Sequence, residues 1–205
     1  MKKYLYVKRF LDFVFACILL VVTLPILLAV AIAIKLESEG PALFLQKRVG
    51  KNGKIFCVYK FRTMLDKSKE NYRFLTDYDR VTRVGSLLRR TSIDELPQLI
   101  NILRGDMSFI GPRPLLAEYL PYYSKREMKR HDVLPGITGW AQVNGRNSIS
   151  WEDKFRYDLE YVEKISLKLD LVIMVLTIHR LIAQTDTERI SIPDFDYERR
   201  NMKAL

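Results

Sequence analysis

FVFACILLVVTLPILLAVAIAI, residues 13–34, runs for 22 residues between Asp12 and Lys35 without a charge. A helix needs about 20 apolar residues to cross the hydrocarbon core of a bilayer, so length alone puts this stretch in a membrane. A cleavable signal peptide does not fit, because the run is too long and no small-residue cleavage site follows it. Pro25 falls near the middle, where it removes a backbone donor and presses on the carbonyl of Val21, so a bend is expected there. The Thr23 hydroxyl can pair with a carbonyl one turn earlier and ease that break inside lipid. Lys2, Lys3, Lys8 and Arg9 precede the run, while Lys35, Lys47, Arg48, Lys51 and Lys54 follow it. Positive flanks favour the cytoplasmic side, and a straight span cannot place both there. A helix broken at Pro25 can, since each arm of about 12 residues is only about 18 Å long and need not cross a core of about 30 Å. The expectation is a re-entrant, monotopic helix-break-helix over residues 1–36. An ordinary kinked single span satisfies the length equally well.

The chain has 205 residues, enough for one domain with a real core. Its 34 basic against 24 acidic residues leave a net charge of +10. Such an excess suits anionic lipid, phosphorylated substrates or nucleic acid. No nucleic-acid partner is expected, because the basic residues are spread along the chain and no reader motif occurs. Cys17 and Cys57 make neither a disulfide framework nor a metal motif, and with only His131 and His179 in addition a zinc site is not expected. Glycine-rich dinucleotide and Walker A signatures are also missing.

After Gly40-Pro41, two runs at 42–49 and 54–64 flank Gly50-Lys51-Asn52-Gly53, which predicts a β-hairpin carrying Gln46, Lys47, Arg48, Lys60 and Arg62. Residues 66–79 read as a helix and a loop, and 81–90 as a basic amphipathic helix suited to a membrane interface. Then comes Arg89-Arg90-Thr91-Ser92-Ile93-Asp94-Glu95-Leu96-Pro97-Gln98-Leu99. Pro97 belongs in a first helical turn, so Asp94 and Glu95 sit near a helix N-terminus, an end that favours carboxylates and attracts phosphate. Ser92-x-x-Glu95 also fits a simple capping box. Leu96, Leu99, Ile100 and Leu103 make a helical stripe that Gly105 can terminate. Pro112 and Pro114 stiffen the loop around Arg113, either as a phosphate clamp or as a connector with a structural ion pair. Tyrosines and cations share 115–130, a pattern suited to headgroup level. Residues 135–147 read as a loop offering amide and guanidinium donors, 151–164 and 167–184 as two helices, and 185–205 as a polar tail. Asp170 is expected to be a first-turn acid. The fold class is α+β, mostly helical, with a catalytic domain over 37–184 and several interfacial helices. Asp77-Tyr78-Asp79 offers a rival site, since an Asp-x-Asp can hold a divalent cation against a sugar nucleotide.

RTSIDELPQLINILRGDMSFIGPRPLL (90–116) and LPGITGWAQVNGRNSISW (134–151) resemble the bacterial sugar transferases called small monotopic phosphoglycosyl transferases. The resemblance runs from about Lys8 to Gln184, and is nearest to the compact members that start glycan assembly. It implies transfer of phosphosugar from a UDP-sugar to polyprenol phosphate, with UMP released, at the cytoplasmic face of a bacterial inner membrane. Asp94 matches the family nucleophile, which implies an aspartyl phosphosugar intermediate, and Glu95 matches the neighbouring acid that assists by metal binding or proton handling. Mg²⁺ is implied at Asp94 and Glu95, since a diphosphate resists a carboxylate until its charge is neutralised. Arg89 and Arg113 would hold phosphate groups; Lys60, Arg62, Gln142, Asn144 and Arg146 would hold the nucleotide sugar. Thr23 and Pro25 would form the membrane break, although the family's usual residue before the proline is serine and here it is Leu24. Membrane lipid and a second copy, as a homodimer, are further implied partners. The two rivals are a conventional glycosyltransferase using Asp77 and Asp79, and a basic membrane-anchored binding module.

Overall fold

One helix, α1 (Lys2–Glu37), dominates the outline, and its assignment continues across Pro25. The computed structural model describes residues 2–66, 75–145, 149–183 and 195. Arg146 and, apart from Phe195, the tail 185–205 lie outside the described residues. At about 1.5 Å per residue the 36 residues of α1 extend about 54 Å. By length and composition it can cross a membrane, and only 6 % of its most apolar stretch is buried against the protein. The Thr23 hydroxyl donates to Leu19 O at 2.7 Å, the pairing expected one turn back. Pro25 therefore sits within one continuous helix rather than between two separate ones.

Both ends of α1 are fastened to the domain that follows. Near its start, Lys8 Nζ meets Asp170 at 2.6 Å, the phenols of Tyr4 and Tyr161 donate to the same carboxylate at 2.6 and 2.8 Å, and Arg9 donates to Leu103 O at 3.0 Å. Asp170 is thus the buried anchor of α1, beyond the first-turn acid expected of it. At the other end Glu37 accepts from the backbone N–H groups of Arg83 and Val84 at 2.8 and 3.1 Å, at the start of α2 (Arg83–Thr91). Free N–H groups at a helix start favour such a carboxylate. Between the two, Ala16 and Ile34 are buried in separate apolar clusters of the domain.

The hairpin forms as predicted. β1 (Leu43–Val49) and β2 (Ile55–Phe61) pair antiparallel from Leu43 opposite Phe61 to Val49 opposite Ile55. Asn52 takes the left-handed backbone (φ 57°) that an asparagine accepts in a turn. α3 (Gln98–Arg104) packs on β2 and α1, and Gly105 ends it at φ 86°. Buried Asn101 ties the two together: it accepts from Tyr59 N–H at 3.0 Å and donates to Cys57 O at 2.7 Å.

A second, parallel pair was not foreseen. β3 (Ser108–Ile110) lies beside β4 (Gly136–Thr138), two strands of three residues that the tertiary fold holds together. Their backbones come so close that a Cβ on Gly136 would lie 2.1 Å from Gly111 N. Two 3-10 segments, Ala117–Tyr122 and Glu127–Asp132, fill the connection, the first containing Pro121. A short helix α4 (Trp140–Val143) follows where only loop was expected; then α5 (Trp151–Lys164) and α6 (Leu167–Ala183) appear as predicted. α6 turns Asp170 and Ile173 inward and leaves Leu171, Val175, Ile178 and Ile182 exposed.

Gly136→Ala is expected to destabilise the protein by about 2 kcal/mol or more, the scale of forced overpacking, because backbone rather than a flexible side chain meets the new methyl. Thermal unfolding of the detergent-solubilised chain measures it; an unchanged midpoint contradicts the close approach of Gly111 and Gly136.

Candidate active site

The polypeptide turns sharply after α2. Ser92 adopts a left-handed backbone (φ 57°), Ile93–Glu95 forms one 3-10 turn, and Pro97 leads into α3. The Ser92 side chain makes no cap hydrogen bond, so the capping-box reading of Ser92 and Glu95 does not hold. Glu95 is engaged elsewhere. Its Oε1 accepts from Lys60 Nζ and from Arg113 Nη2, each at 2.7 Å. Lys60 comes from β2, and Arg113 from the loop after β3, so three separate segments converge on one carboxylate oxygen.

Asp94 has the opposite fate. Among the described residues no hydrogen bond or ion pair engages its carboxylate. Burial and then the adjacent Glu95 push its pKa above the ordinary 3.8, against the pull of Lys60, Arg89 and Arg113. For Glu95, burial also acts upward, but Arg113 and Lys60 outweigh it and hold the group down at about 2. Two neighbouring carboxyl groups driven apart in this way are suited to different roles.

Both acids line a cavity of about 630 Å³. Arg89, Arg113 and Gln142 line it too, and Arg89 Nε donates to Thr63 Oγ1 at 2.9 Å. Leu19 of α1 and Leu181 of α6 also border it, so apolar helix surface reaches the same space as the charged dyad. Arg62 is not brought there. Its guanidinium donates to Glu39 O and, at 2.8 Å, to Ser38 O, where it caps the C-terminal end of α1. Asn144 also points elsewhere, donating to Trp140 O at 2.8 Å. Asp77 pairs with Arg80 at 2.9 Å on an exposed turn and Asp79 bonds Thr76, and neither lines the cavity. The Asp-x-Asp rival therefore lacks the cavity that Asp94 and Glu95 line.

Three residues that carry the site's geometry were not assigned to it from the sequence, and Arg130 was read only among the headgroup-level cations of 115–130. Asn101 aligns α3 with β2 and thereby Lys60 with Glu95. Arg130, 2 % exposed, pairs with Asp158 on α5 at 2.7 Å and donates to Arg113 O at 2.7 Å, which fixes the loop from behind. Asn101 did carry a signal, since it stands alone between Leu99-Ile100 and Ile102-Leu103 on an otherwise apolar stretch. Arg130 carried none, because 115–130 is mixed.

No three His, Cys, Asp or Glu side chains converge among the described residues, which excludes a cage built wholly from protein there. An open Asp94 carboxylate beside Glu95, whose second oxygen is not used by Lys60 or Arg113, fits a cation that takes one or two carboxylates and completes its shell with substrate phosphate and water.

Residues 3–184 match the family described as bacterial sugar transferase, and the chain belongs to that family. It is 49 % identical over 175 residues to the uncharacterized sugar transferase EpsL of Bacillus subtilis (strain 168), covering 85 % of this chain and 87 % of that protein. It is 43 % identical over 187 residues to the UDP-N-acetylgalactosamine-undecaprenyl-phosphate N-acetylgalactosaminephosphotransferase of Aeromonas hydrophila, covering 87 % of this chain and 44 % of the other. A UDP-glucose:undecaprenyl-phosphate glucose-1-phosphate transferase of Xanthomonas campestris pv. campestris is 44 % identical over 188 residues, covering 86 % and 39 %. The chain thus spans less than half the length of these two relatives.

The acid limb of kcat/KM is expected above pH 3.8, because a carboxylate must be ionised to act and the Asp94 pKa is raised; activity is present above that pKa and lost as pH falls through it. Glu95 stays charged down to about pH 2 and does not set this limb. In Glu95→Gln the limb of the residual activity moves to lower pH, since one of the causes raising Asp94 is gone. A limb that does not move contradicts the coupling of the two acids.

Proposed function

We propose that this chain transfers a phosphosugar from a UDP-sugar to polyprenol phosphate, giving polyprenyl diphosphosugar and UMP. The observation that carries this reading is the contrast within the dyad: Glu95 is clamped by two cations while Asp94 beside it stays open, in a cavity bordered by Leu19 of the membrane helix. The names of the relatives support the same substrates. An Asp94 oxygen attacks the β-phosphorus of the UDP-sugar, the bond from that phosphorus to the bridging oxygen breaks, and the electron pair leaves with UMP. The acyl phosphate left on Asp94 carries the sugar. A phosphate oxygen of polyprenol phosphate then attacks the same phosphorus, and the Asp94 carboxylate is released intact. Asp94 with its raised pKa is the more basic of the two acids, hence the better nucleophile. Lys60 and Arg113 hold Glu95, and Arg113 and Arg89, which line the cavity, present positive charge to the diphosphate. Asp94 and Glu95 would also hold Mg²⁺, which supplies charge neutralisation of the phosphates when bound.

The re-entrant course of α1 belongs to the same proposal. An ordinary span carries one end of its helix to the far side of the bilayer, whereas here Lys8 and Glu37 both bond to one domain. That arrangement supports a helix that enters and leaves by the cytoplasmic face, with the exposed side of α6 at the interface. In a cysteine-free background, Tyr6→Cys and Leu36→Cys are both expected to resist a membrane-impermeant thiol reagent applied from outside intact cells. Labelling at one of the two positions would show a spanning helix.

Incubation with Mg²⁺, polyprenol phosphate and a panel of UDP-sugars is expected to release UMP, and Asp94→Asn to lower that release at least a thousandfold. Release of UDP would instead favour a conventional glycosyltransferase. Full activity in Asp94→Asn would remove the covalent step, and no nucleotide release with any sugar would leave only a binding role.

A further inference from the structure

The cavity wall holds a third carboxylate that the transfer steps leave unused. Asp158, on α5, is 3 % exposed and lines the same cavity as Asp94. Arg130 places both of its bonds on one oxygen, Nε at 2.9 Å and Nη2 at 2.7 Å to Oδ2. A guanidinium and a carboxylate more often meet fork to fork, with one bond to each oxygen. Here Oδ1 is buried and, among the described residues, has no hydrogen-bond partner. Gln142, on α4 and packed beside α5, repeats the pattern. Its Nε2 donates to Ile137 O at 3.4 Å while its buried Oε1 has no partner. Buried acceptors are nearly always satisfied, so two unpaired ones on residues of a single cavity wall point to donors that the chain itself does not supply, ordered water or a ligand.

Chemistry narrows what that donor is. Phosphate oxygens are acceptors and would be repelled by both groups. A cation is not called for, because Arg130 already neutralises Asp158. A polyprenyl chain has no donor at all. Neutral O–H and N–H donors remain, and a sugar nucleotide carries hydroxyls on its sugar and ribose and an N–H on its uracil. We propose that Asp158 Oδ1 and Gln142 Oε1 accept hydrogen bonds from neutral O–H or N–H donors of the sugar nucleotide, so that Asp158 is a binding residue in addition to the partner of Arg130. Arg130 extends the contact, since its Nη2 also holds Arg113 O at 2.7 Å and so joins that part of the ligand to the loop that aims Arg113 at Glu95. This inference rests on the sugar-nucleotide reading given above.

The test uses the full-length solubilised chain carrying Asp94→Asn, to block turnover, with and without Asp158→Asn. Asparagine keeps the shape and one oxygen for Arg130, but replaces the open acceptor with an NH₂ donor. Calorimetric titration with UDP-sugars, UMP and inorganic diphosphate, each with Mg²⁺, is expected to show UDP-sugar affinity falling tenfold or more while diphosphate affinity is kept. Loss for UMP as well assigns the contact to the nucleoside, and loss for UDP-sugars alone assigns it to the sugar. Binding of UDP-sugars and UMP within twofold of the parent overturns the proposal. An equal loss for inorganic diphosphate also overturns it, because Asp158 would then act only by holding Arg130 and Arg113. Should Asp158→Asn not fold, Gln142→Met removes the other open acceptor without breaking an ion pair, under the same expectation and the same overturning results. A wild-type chain that releases no UMP from any UDP-sugar defeats the functional reading itself, whereas UMP release with unchanged binding in the variant defeats only the role of Asp158.

Discussion

One carboxylate oxygen gathers the site. Glu95 Oε1 receives Lys60 from the hairpin and Arg113 from the loop after β3, and neither segment is near it in sequence. A carboxylate in a partly buried position is stable as an anion only when cations or donors replace the water it has lost. Because Lys60 and Arg113 meet that requirement at Glu95, the adjacent Asp94 is left with burial and a like charge, which push its pKa the other way. The difference between two neighbours of nearly identical chemistry is therefore a consequence of packing. The proposed attack at phosphorus would depend on it, since a carboxylate locked in two ion pairs is a poor nucleophile and an open, more basic one is better.

The clamp needs a rigid setting, and buried polar side chains supply it. Asn101 binds the backbone of β2 on both sides of Val58, which holds the strand carrying Lys60 against α3. Arg130, backed by Asp158, grips the Arg113 carbonyl, and the close approach of Gly111 and Gly136 leaves the same loop no room to shift. Each of these contacts fixes backbone, so the side chains of Lys60 and Arg113 reach Glu95 from preset positions.

The long helix enters this scheme as a structural partner as well as an anchor. Its ends are bonded to Asp170 and to the start of α2, its inner face packs on α3, and Leu19 borders the cavity. In the proposed transfer a lipid-borne acceptor and a water-borne donor meet where apolar surface and fixed positive charge share a boundary. The packing of α1 on α3 brings the two within one cavity.

The sequence by itself determined the local elements: the apolar helix from its uncharged run, the hairpin from Asn52-Gly53 between two strand-like runs, α3 from its stripe and its terminating Gly105, and α5 and α6 from their periodicity. It also singled out Asp94, Glu95, Lys60 and Arg113, largely through motifs. Those properties depend on a residue and its near neighbours, which is why they are legible. Tertiary structure alone decided that Ser92 does not cap Glu95, that Arg62 closes the end of α1 instead of facing the cavity, and that three-residue strands 108–110 and 136–138 pair in parallel. It alone placed Arg130 behind Arg113 and left Asp158 Oδ1 open. The physical reason is that a hydrogen-bond partner or a lost hydration shell depends on what the folded chain brings close. Residues 18 to 44 positions apart, such as Arg113 and Glu95 or Asn101 and Cys57 and Tyr59, carry no local mark of their meeting.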